Sequence, residues 1–158
     1  MLLDEKKTAS VHEAGHAIIY HIYGYKINSI TLSDDGNGML HAYSFKPTHE
    51  MINSDLDTLT NRLEIYGMIC LSGYSSELKF KNKRLNGLMT ISNPDKESCT
   101  KNDIDSLRNE MNKANEILEK KYYDDFFFYL IQSKTRKFIS KKNIWNAILH
   151  LSEELMSS

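Results

Sequence analysis

Ser10-Val11-His12-Glu13-Ala14-Gly15-His16-Ala17-Ile18 is the stretch on which the reading of this chain turns. Around it, Val11, Gly15, Ile18, Ile19 and Ile22 recur at steps of three and four, which predicts an amphipathic helix over residues 4–23. Asp4, Thr8 and Ser10 are each candidate N-caps, and Gly24 is a natural stop. Within such a helix His12 and His16 lie one turn apart on one face, about 6 Å along the axis. Both imidazoles can then reach one ion at the short bonds zinc prefers. Glu13 cannot easily share that coordination, but its carboxylate can act as general base toward a water at the metal. With 6 His and 11 Glu in 158 residues, chance predicts only roughly 0.015 HExxH strings. Gly15 should cost about 1 kcal/mol against Ala in a helix interior, so its presence predicts a close approach by another segment. His21, five residues beyond His16, points well around the helix and reads as a surface histidine.

Outward from this helix, residues 27–32 and 39–45 alternate in polarity across a Gly- and Asn-containing connection, which predicts a small antiparallel hairpin. Leu56, Leu59, Leu63, Tyr66, Cys70 and Tyr74 then keep a helical rhythm to about Phe80, with a capping signal at Ser54-Asp55-Leu56-Asp57. Residues 81–100 carry Asn86-Gly87 and Asn93-Pro94 and no period, and read as a loop. A third helix is expected from about Asn102 through Ile104, Leu107, Met111, Ala114 and Leu118. The aromatic run over residues 122–131 fits a helix or a buried strand and, given its helical neighbours, reads as a helix; the last helix spans about 141–156 with Ile144, Ile148, Leu151 and Leu155 inward. The expected architecture is therefore mainly α (α+β): a single domain over residues 1–158 with a hairpin after the HExxH helix.

Composition bounds the function classes. Lys+Arg at 20 against Asp+Glu at 21 gives a net charge of -1, which removes the electrostatic case for a general nucleic-acid binder. No run approaches 18 apolar residues, so no membrane-spanning helix is expected. Cys70 and Cys99 form no CxxC pair and read as reduced thiols of a cytoplasmic protein.

HExxH supplies two ligands, and a catalytic zinc usually takes three from the protein. No HExxHxxGxxH extension follows His16. Glu77, Asp103, Cys70 and Cys99 are the candidates for the third, and spacing alone does not choose among them.

The string Ser10 to Ile18 resembles the zinc-site helix of the peptidase domain of FtsH-type ATP-dependent membrane proteases. Leu71-Ser72-Gly73-Tyr74-Ser75-Ser76-Glu77-Leu78 is similar to that family's glycine-rich stretch ending in paired acidic residues, and Asn102-Asp103-Ile104 to its Asn-Asp-Ile signature. The likeness covers residues 10–114 and implies a helical zincin-like metallopeptidase. It implies Asp103 as third zinc ligand beside His12 and His16, Glu13 as catalytic base, and Glu77 orienting a ligand histidine. The chain departs from the family at Ser72, Leu78 and Thr100-Lys101, and it contains no GxxxxGK[ST] loop of an ATPase module.

These readings predict a stand-alone zinc endopeptidase acting on unfolded or flexible polypeptides, with a separate ATPase or adaptor as a possible supplier of substrate. An extended peptide could add to the edge of the second strand, over Met39, Leu40, His41, Ala42 and Tyr43. Two alternatives stand beside it. One is an inactive pseudo-protease in which zinc staples a binding module. The other follows from Cys70-Leu71-Ser72, which is similar to the cysteine-ligand segment of peptide deformylases, although that segment normally precedes HExxH.

Overall fold

In the computed structural model, which describes residues 3–33, 38–42, 47–48, 55–81 and 99–158, the first helix runs Leu3–Ile22 (α1). It is followed by strands Ile27–Leu32 (β1) and Gly38–Ala42 (β2) and by helices Leu56–Phe80 (α2), Cys99–Leu118 (α3), Asp125–Ile139 (α4) and Lys142–Ser157 (α5). The described chain is thus mainly helical with a two-stranded antiparallel hairpin. None of its described helices is long and apolar enough to cross a membrane. It divides into two compact units, one of Met1–Tyr43, Ser72–Leu85 and Thr135–Ser158, the other of Ser44–Leu71 and Asn86–Lys134.

In the first unit, α1 ends where Gly24 takes a φ of 76°. The Tyr25 N–H bonds to the Tyr20 carbonyl (2.9 Å) and the Gly24 N–H to that of His21 (3.0 Å), which satisfies the last carbonyls of the helix. Val11, Ala14, Ile139 and Ile148 form a buried cluster, with Ile18, Phe80, Ile144, Trp145, Leu151 and Leu155 packed against it. Ile22 departs from the expected apolar face: it is 41% exposed, because the core is closed one turn earlier by Ile19. Gly15 is explained by the neighbour that its sequence cost predicted. A β-carbon there would meet the Ser72 carbonyl at 2.7 Å and the Ser76 side chain, so α2 crosses α1 at this residue. The hairpin lies against α1, with Ile30 opposite Leu40 and a register shift between Ile27 and Ser29.

In the second unit, α2 starts because the Asp55 carboxylate accepts the Thr58 N–H at 2.7 Å. Ser54, expected in that cap, lies outside the described residues. Leu59, Leu63, Ile104, Leu107, Phe128 and Ile131 are buried. Gly67 has no room for a side chain: its β-carbon would meet Ile131 Cγ2 at 2.7 Å and Leu107 Cδ1 at 3.3 Å, which draws α2, α3 and α4 together. Helix α3 begins at Cys99, three residues before the expected Asn102. Helix α4 begins at Asp125 rather than Tyr122, for a local reason. The Asn115 side chain accepts the N–H groups of Tyr122 and Tyr123, and Asp124 caps the Phe127 N–H at 3.1 Å.

Candidate metal centre

His12, Glu13 and His16 are all buried on α1, at 5%, 4% and 8% exposure. The two Nε2 atoms approach within 3.0 Å, with the rings edge to face. Each imidazole is held at its other nitrogen: His12 Nδ1 lies 3.3 Å from Glu77 Oε2, and His16 Nδ1 lies 3.3 Å from Ser72 Oγ. With Nδ1 carrying the proton on each ring, the N–H groups face Glu77 and Ser72 and both Nε2 lone pairs converge on one point. That is the tautomer a metal needs.

The space at that point is kept by a glycine. A β-carbon on Gly73 of α2 would lie 2.6 Å from His12 Nε2 and closer still to His16 Nε2. His12, His16 and Asp103 each offer one ligand atom, all within 4.8 Å of one another, and these three residues could hold a metal ion. The donor set, two imidazoles and a carboxylate with a glycine beside them, fits a divalent ion.

Glu77 is an ionised partner for His12. Burial pushes its pKa up, but the hydrogen bond from His12 and the Lys81 ammonium at 2.8 Å pull it further down, and the net shift is below the usual glutamate value. Cys70 goes the other way. Burial, then the negative charges of Asp103 and Glu110, raise its thiol well above the usual cysteine value. It is absent from the metal-capable group among the described residues, which gives the deformylase-like alternative no support. The side chain of Cys99 lies outside the described residues.

Asp103 is half-buried and sits in the second turn of α3, since that helix starts at Cys99. The ordinary reason for a carboxylate at a helix N-terminus acts within the first turn and applies only weakly here. His21 is exposed. On β2, Met39 and His41 face solvent, Leu40 and Ala42 are half-buried, and Tyr43 lies outside the described residues. Among the described residues β2 pairs only with β1.

In sequence Ser72 stands out only as a departure from a family glycine, and Gly73 has no evident role. The signal for Gly73 was available: a glycine deep in a 25-residue helix needs a packing reason. No protein-family model and no curated protein matches the chain.

Proposed function

We propose that this chain is a zinc metallo-endopeptidase with a helical zincin-like fold, similar to the peptidase domain of FtsH-type proteases. The observation that carries the reading is the convergence of His12 and His16 Nε2, each ring braced from behind, with the Asp103 carboxylate within 4.8 Å and Glu13 on the same turn. His12, His16 and Asp103 would hold the zinc. Bound there, zinc supplies Lewis acidity that acidifies water and polarises a peptide carbonyl.

The remaining chemistry belongs to the chain. Glu13 takes the proton of the attacking water on its carboxylate as the oxygen–carbon bond forms. It then returns that proton to the leaving amine as the carbon–nitrogen bond breaks, with no covalent intermediate to the protein. Glu77 fixes the His12 ring and Ser72 the His16 ring, which keeps both lone pairs on the metal side. Among the described residues β2 pairs only with β1, and its other edge, with Met39 and His41 exposed, is suited to an extended polypeptide. Folded substrates would need a separate ATPase or adaptor to unravel them.

Glu13→Gln tests the reading. Zinc should stay bound while cleavage of an unfolded protein such as reduced, alkylated casein falls by at least about 100-fold. Wild type that holds zinc yet cleaves no unfolded protein would instead leave a zinc-stapled binding module.

A further inference from the structure

Gly38 opens β2 opposite Leu32 and lies directly on the side chain of Glu13. A β-carbon there would meet Glu13 Cγ, with Oε1 at 2.6 Å and Cδ at 2.8 Å. Backbone conformation does not demand this glycine. Gly24 is the only described glycine at positive φ, so Gly38 has dihedrals open to any residue. The strand setting argues against it too, since a glycine inside a strand weakens the strand and marks close approach of another group. Every atom that a β-carbon at 38 would meet first belongs to Glu13. Glu13 itself is only 4% exposed.

We infer that Gly38 is a positioning residue for the Glu13 carboxylate. Its missing side chain lets the first residue of β2 press on the carboxylate and hold it in one place beside His12 and His16. The catalytic use of this contact rests on the peptidase reading, whereas the contact itself does not. A β-carbon at 38 must push either the carboxylate or the strand aside. Misplacement of about 1 Å in a reacting group can cost roughly 100-fold in rate.

Two measurements on the zinc-loaded full chain test the inference. The first is a double-mutant cycle in urea unfolding with Gly38→Ala and Glu13→Ala, since the alanine at 13 removes Cγ, Cδ and Oε1 together. Gly38→Ala should lower the unfolding midpoint in wild type and lower it clearly less beside Glu13→Ala. Equal losses in both backgrounds overturn the inference. If Gly38→Ala fails to fold, recovery of the fold in the double variant upholds it, and failure there overturns it.

The second measurement pairs zinc content with steady-state cleavage of a fluorogenic peptide. Gly38→Ala should keep its zinc and its KM while kcat falls roughly 10- to 100-fold. A general structural defect would lower zinc content along with activity, and that pattern, or an unchanged kcat, overturns the positioning role. Wild type that cleaves nothing overturns the peptidase reading separately, and the urea cycle then decides whether Gly38 sets the place of Glu13.

Discussion

Gly73 stands against His12 so closely that a β-carbon on it would lie 2.6 Å from the Nε2 of that imidazole. The two residues belong to different helices, α2 and α1, and the gap between them is where both histidines aim. A methyl group at 73 competes with any ion for that gap. Gly73→Ala should therefore hold far less zinc than wild type while its far-ultraviolet circular dichroism stays helical, because alanine favours the helix. Equilibrium dialysis against zinc reads the loss.

Glu77 presents a different kind of support. It accepts the His12 Nδ1 proton at 3.3 Å and is itself held by Lys81 at 2.8 Å. Removing such a partner of a metal-ligating histidine typically lowers metal affinity by about 10- to 100-fold. Glu77→Ala should show a loss of that size by competition with a chromophoric chelator. Glu77→Gln should lose less, since its amide oxygen can still accept the proton.

Acid stability should carry the mark of Glu110. It is buried, bonded by Thr48 Oγ1 at 2.5 Å and paired with Lys113 at 2.9 Å. Burial raises its pKa, but the Thr48 bonds and Lys113 lower it more, so the folded value lies below the unfolded one. A carboxylate of this kind contributes stability that is complete above its unfolded pKa and is lost as pH falls through its folded pKa. Urea midpoints measured from pH 6 down to pH 3 should fall more steeply for wild type than for Glu110→Gln at the acid end.

The elements that were legible in sequence are those whose buried face is apolar at a regular step. Helix α1 was visible from Val11, Gly15 and Ile19, and α2 from Leu59 and Leu63, and both run close to their expected limits. The limits of α4 are not legible in sequence, because its buried face includes Gln132 and Thr135 between Ile131 and Ile139 and the apolar rhythm fades halfway. Its start was hidden as well, since side-chain bonds from Asn115 and Asp124, not hydrophobicity, hold Tyr122 and Tyr123 out of it.

Within the site, the metal-ligand candidates His12 and His16 were readable from their four-residue spacing. Asp103 is implied only by resemblance, and it belongs to the group that could hold a metal ion. What spacing did not reveal were the glycines, because the value of an absent side chain appears only when the neighbouring atoms are in place. Gly15 was the exception, being costly enough in a helix to be noticed.

Zinc per chain measures the three-ligand metal site of His12, His16 and Asp103 most directly. Elemental analysis of purified wild type and of Asp103→Ala, both dialysed against the same zinc-containing buffer, should give roughly one zinc per chain in the first and a small fraction of that in the second. Wild type without zinc after reconstitution, or Asp103→Ala that keeps it fully, would rule out this three-ligand site.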